Sequence, residues 1–166
     1  MYDKVSIEYE KWSTEEKLRQ LRRAFPLWIG IIVKAVDEKL GEEGRKVIMD
    51  ALRYQGFIHG QKVIVDKRHA ERSIQGVIQA FLTNTQAMGD EPDIIEVSQN
   101  RIVMRFNHCA MADRWKMIKA PSWICEVWGS YALGMYQAVH PKFQYTRLTS
   151  IMRGDSYCEE VWEIKE

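Results

Sequence analysis

Cys109 and Asp113 stand four residues apart in a stretch that reads as the start of a helix, so their side chains share one face. If Ala110 opens that helix, Cys109 sits at its N-terminus. There the helix dipole and unpaired N–H groups favour a thiolate and lower its pKa. A thiol and a carboxylate so placed are a candidate nucleophile and proton carrier. The plainer alternative is a cysteine packed as a small apolar residue beside a solvated aspartate. The chain holds two more cysteines. Cys125 lies on a helix opened by Pro121-Ser122 and shares its face with Trp128, Gly129 and Ala132, a face that usually belongs to a core. Cys158 follows the Gly154-Asp155 turn and alternates with Glu160, Trp162 and Ile164 onto one side of a strand. Three thiolates with His108 would suit zinc chemically. No CxxC or HxxxH pair occurs, so only the fold could bring such ligands together, and no cofactor is required by the sequence. Walker A, GxGxxG, HExxH and GxSxG signatures are absent.

Two textures position these residues. From Ser13 to about Met88 the chain reads helical. Ser13 and Glu16 form a capping box, and Leu18, Leu21 and Phe25 follow at helical spacing. Pro26 restarts the helix, and Gly41 is placed to end it. Gly56 and Gly60, four apart, suit close approach of another helix. A further helix is predicted from about His69 to Met88, with Ile74, Val77, Ile78 and Phe81 as its stripe. The run Gly89-Asp90-Glu91-Pro92-Asp93 is turn chemistry. Beyond it, Ile94 to Val97 and Ile102 to Phe106 read as one hairpin, and Phe143 to Met152 with Tyr157 to Ile164 as another. Helical stretches over Ala110 to Met117 and Pro121 to Val139 lie between them. The expected fold is α+β, an N-terminal helical half (1–89) packed on an antiparallel sheet of about four strands in the half 90–166. The whole, 1–166, is read as a single domain, since neither half closes a core alone.

Formal net charge is +1, from 24 basic and 23 acidic residues, which gives no reason to expect nucleic acid or an anionic membrane as partner. The longest apolar stretch, Phe25 to Val36, is broken by Pro26, Gly30 and Lys34 and is too short to span a bilayer. The opening Met1 to Lys11 is polar, unlike a secretory leader. An odd cysteine count without a secretion signal argues for a reducing cytoplasm and against a disulfide framework. Trp115, Trp123, Trp128, Tyr131 and Tyr136 crowd the central helices, as a core or as the lining of a small-molecule pocket. Self-association as a homo-oligomer stays open.

The run from Arg105 to Glu159 resembles the L-2-amino-thiazoline-4-carboxylic acid hydrolase family. Four blocks occur in order: Cys109-Ala110-Met111-Ala112-Asp113; Pro121 with Cys125; Pro141 with Arg147-Leu148-Thr149-Ser150-Ile151-Met152; and Gly154 with Cys158-Glu159. The family commonly places an aspartate three residues after the second cysteine, where this chain has Trp128. The resemblance implies a hydrolase that opens a ring C–N bond of a cyclic amidine such as 2-amino-thiazoline-4-carboxylate. On that reading Cys109 attacks the amidine carbon or positions water, and Asp113 moves the proton. Cys125, Cys158, His108 and Trp128 line the pocket, and Arg147 clamps a substrate carboxylate. The family's fold is also similar to 4-vinyl reductase-type domains. That similarity implies the second reading, a small-molecule-binding or sensory module without catalysis, zinc-containing in one version.

Overall fold

A computed structural model describes residues 11–65 and 74–165. The polar opening from Met1, the expected helix start at His69, and the side chains of Ile74 and Val77 lie outside the described residues. Helix α1 runs Thr14–Val65 with a kink at Gly41, where the sequence predicted an end. Gly41 bends the chain, but the good helix formers after it resume the helix at once. The capping box is made as read: Glu16 Oε2 accepts from the Ser13 N–H at 2.7 Å, and Ser13 Oγ accepts from the Glu16 N–H at 3.2 Å. Helix α2 follows at Ile74–Met88, then strands β1 (Asp93–Val97) and β2 (Arg101–Phe106). Helices α3 (Ala110–Met117) and α4 (Ile124–Gln137) precede strands β3 (Phe143–Thr149) and β4 (Cys158–Ile164). The fold is α+β, with helices packed on a four-stranded antiparallel sheet of order β1-β2-β4-β3.

α4 starts later than Pro121 because Pro121 to Trp123 form a turn, with the Ile124 N–H on the Pro121 carbonyl at 3.0 Å. β3 likewise stops at Thr149, and Ser150 then caps a 3₁₀ turn over Ile151–Arg153. Register puts Ile102, Met104 and Phe106 beside Trp162, Glu160 and Cys158, and sets Tyr145 and Arg147 beside Trp162 and Glu160. The other face of the sheet carries cross-strand ion pairs, Arg101 with Glu163 and Arg105 with Glu159. α1 and α4 cross closely. A Cβ at Gly56 or Gly60 would run into the carbonyl of Tyr131 or Met135, and one at Gly134 into the carbonyl of Arg53. Small residues at the crossing let the two backbones meet.

Buried apolar side chains form two clusters. One, around Phe81, Met104, Tyr136, Phe143 and Trp162, fills the space between the sheet, α2 and α4. The other, around Val33, Met111, Trp115, Ile124 and Cys125, joins α1, α3 and α4. The Trp115 indole pins the second cluster by donating to the Pro26 carbonyl at 2.9 Å.

Candidate active site

A narrow cavity of about 30 Å³ lies between the two clusters, taking its walls from both. That is room for about two waters. Cys109, Cys125 and Cys158 all line it, with Arg147 and Trp128. Asp90 and Glu160 bring two carboxylates to the same walls. The structure therefore gathers five of the residues singled out from sequence into one hollow.

Cys109 is the residue before α3, extended at φ −140°, ψ 107°. The thiol is not ionised there as its position led us to expect. Burial and the neighbouring Asp90 carboxylate push its pKa up to about 12, outweighing the Ala112 backbone N–H that favours the thiolate. A short helix offers little dipole against that desolvation. Cys125 is likewise raised, first by burial, although Arg147 and the Ser150 hydroxyl pull the other way. Ser150 Oγ donates to Cys125 Sγ at 3.7 Å, and the Ile151 N–H donates to Cys158 Sγ at 3.3 Å.

Asp113 and His108 do not join this cavity. Their side chains are 63% and 70% exposed and bond each other at 3.1 Å on the outer surface. Asp113 shares the face of α3 with Cys109 only as far as one turn allows. The Cys109 side chain departs from extended backbone and turns inward, and the two part company. The carboxylate that does stand beside Cys109 is Asp90, which sequence reading took only for turn chemistry. α2 closes with Gly89 at φ 91°, the Gly89 N–H on the Gln86 carbonyl and the Asp90 N–H on the Thr85 carbonyl, each at 3.0 Å. This closure delivers the Asp90 side chain to α3, where Oδ1 accepts from the Ala110 N–H at 2.9 Å. Asp90 is 4% exposed, and burial raises its pKa above the ordinary aspartate range.

Arg147 and Glu160 are a buried cross-strand pair, 2.7 Å apart with both side chains 6% exposed. Tyr145 links them: its hydroxyl donates to Glu160 Oε1 at 3.1 Å and accepts from Arg147 Nε at 2.7 Å. The guanidinium edge Nε/Nη2 is thus taken by protein, and a substrate carboxylate cannot use it. Nη1 meets no acceptor among the described residues, which leaves the other edge for a ligand. Burial raises the Glu160 pKa, with Arg147 opposing. Trp128, at the place of the family's aspartate, contributes an aromatic wall and stacks on Tyr131 at 6.0 Å. Among the described residues no three His, Cys, Asp or Glu side chains are grouped to hold a metal ion, so the three thiols and His108 do not form a ready zinc site.

A profile of the family described as L-2-amino-thiazoline-4-carboxylic acid hydrolase matches residues 21–162, through both the helical and the strand-bearing halves. Among solved structures, the phenol-responsive sensory domain of the transcription activator PoxR, with phenol, is similar with a TM-score of 0.64 at 16% identity, over 84% of this chain and 74% of that one. Trafficking protein particle complex subunit 3 from Naegleria fowleri, covalently bound to palmitic acid, is similar with a TM-score of 0.61 at 13% identity, over 89% of this chain and 97% of that one. At these identities the likeness is one of fold. No curated protein matches the chain in sequence. Among the described residues no helix is long and apolar enough to cross a membrane.

Proposed function

The chain belongs to the L-2-amino-thiazoline-4-carboxylic acid hydrolase family, and from that premise we propose that its buried cavity hydrolyses a small cyclic amidine bearing a carboxylate. The observation that carries this reading is the convergence of Asp90, Cys109 and Arg147 on one hollow. An amidinium at one end of the substrate pairs with Asp90, and a carboxylate at the other takes the outer edge of Arg147. The charge of the substrate also addresses the protonated thiol. A cation beside Cys109 stabilises its thiolate, so the nucleophile is activated when the substrate arrives. Cys109 then adds to the amidine carbon and Asp90 receives the thiol proton. One ring bond to that carbon breaks, and its electron pair and the proton go to the departing ring atom. Water adds to the same carbon in turn and displaces Cys109. In this scheme the proton-carrier role assigned to Asp113 passes to Asp90, because Asp113 stands outside the cavity with His108.

Turnover of 2-amino-thiazoline-4-carboxylate by the purified chain tests the scheme. Cys109→Ser and Asp90→Asn should each lose activity about 100-fold or more, while Asp113→Asn keeps it. Opening of the ring C–N bond liberates an amine, and opening of the neighbouring C–S bond liberates a thiol, so a thiol-specific reagent reads which bond breaks. Unchanged turnover in Cys109→Ser would remove the covalent step.

The second reading, a binding or sensory module, is favoured by the resting protonation of Cys109. Saturable binding of the amidine without any product would establish it.

A further inference from the structure

The first half of α1 is apolar on two opposite sides. Pro26, Gly30 and Val33 are buried against the rest of the protein. On the far side Leu21, Trp28 and Ile32 are 57%, 63% and 61% exposed. One core cannot serve both faces of a helix. The exposed stripe has a pattern of its own. Leu18, Leu21, the half-buried Phe25, Trp28, Ile32 and Ala35 recur at alternating spacings of three and four, the seam of a helix that packs along a second helix.

We propose that this stripe is the interface through which two copies of the chain pair, with their α1 helices antiparallel about a two-fold axis. In that arrangement Leu21 meets Ile32 of the partner subunit, and Phe25 meets Trp28 of the partner subunit. The same patch then serves both copies, as a two-fold interface requires. Charge selects the direction. Lys17 and Glu38 are exposed and border the stripe on the same side, near its two ends. Antiparallel pairing sets Lys17 against the partner's Glu38, and symmetry makes the contact twice. Parallel pairing would give Lys17 no acidic partner, since the residue it would face, Arg22, is turned onto the carbonyls of Gln86 and Ala87. The seam from Lys17 to Glu38 is roughly 30 Å long, about three heptads of helix. A membrane-lying helix would border its apolar face with basic residues, whereas the borders here carry opposite signs.

Sedimentation equilibrium on the full chain tests the proposal. The wild type should be a dimer at micromolar concentration, and Trp28→Glu should be a monomer with unchanged circular dichroism. Lys17→Glu and Glu38→Lys should each weaken the dimer about tenfold, and the two changes together should restore it. A wild type that stays monomeric at ~100 μM overturns the proposal, as do single charge changes without effect. A monomer that floats with phosphatidylcholine–phosphatidylglycerol vesicles overturns it in favour of a lipid surface. Should Trp28→Glu fail to fold, the charge exchange at exposed positions still decides.

Discussion

Asp90 does two jobs that sequence could not separate. Its acceptor oxygen closes the start of α3, and its charge bears on Cys109. Burial raises its pKa above the unfolded value of 3.8. Between those two values the folded state holds the proton more tightly than the unfolded chain. Stability from this group is therefore greatest below 3.8, falls as pH rises through the window, and stays lost above it. Asp90→Asn keeps the bond to Ala110 and removes the charge. It should melt about 2–4 °C higher than wild type at pH 7, with no such gain in acid below the unfolded value, even as turnover falls. The same neighbour sets the reactivity of the thiol. With Cys109 pushed up to about 12, its alkylation by iodoacetamide should still climb about tenfold per pH unit at pH 9–10. Peptide mapping by mass would follow it apart from Cys125 and Cys158. Asp90→Asn should speed the reaction at any given pH, and a plateau near pH 8 in the wild type would contradict the buried environment. The thiols and Arg147 were legible in sequence because their types and order were distinctive. Asp90 was not, because a Gly-Asp pair before Pro92 is what any surface turn would show.

At the scale of elements, α3 was read to the residue, and the strands to within a few positions, because alternation and capping are local signals. Pairing is not local. Glu160 was seen to share a face with Cys158 and Trp162, but its counter-charge could be named only once β3 lay beside β4 in the observed register. A carboxylate at an inward position was the available hint that a buried cation must face it. Gly56 and Gly60 were likewise read as a helix contact, while Gly134, their counterpart on α4, was missed for want of a spaced companion. The crossing makes a firm expectation. Gly134→Ala places a methyl group on the Arg53 carbonyl, and the two backbones must separate. The gain in helix propensity is about 1 kcal/mol, but the clash should outweigh it. A net loss of about 2 kcal/mol is expected in urea unfolding.

For the molecule as a whole, the decisive fact is where the cavity lies. It sits at the junction of two separately packed clusters, and its free space is far smaller than an amino-acid-sized ligand. Full seating of such a ligand therefore needs the walls to move, which sequence could not foretell because it depends on how densely they pack. Trp115 and Trp128 line the cavity and report on it by their own fluorescence. In stopped-flow mixing with 2-amino-thiazoline-4-carboxylate, the observed rate should level off as concentration rises, since opening precedes binding. A rate that stays linear in concentration would mean a site already open. Away from the cavity, the bend in α1 holds a separate lesson. Gly41 sits at φ 55°, ψ −134°, and nothing stands within 4 Å of where a side chain would begin. Space is plentiful there, yet an L-residue would be strained by its own backbone. Reflected through the origin, those angles are ordinary extended geometry. D-alanine, introduced by chemical ligation, should thus be welcome where L-alanine is not, and at this single α-carbon the chain is built for the opposite chirality.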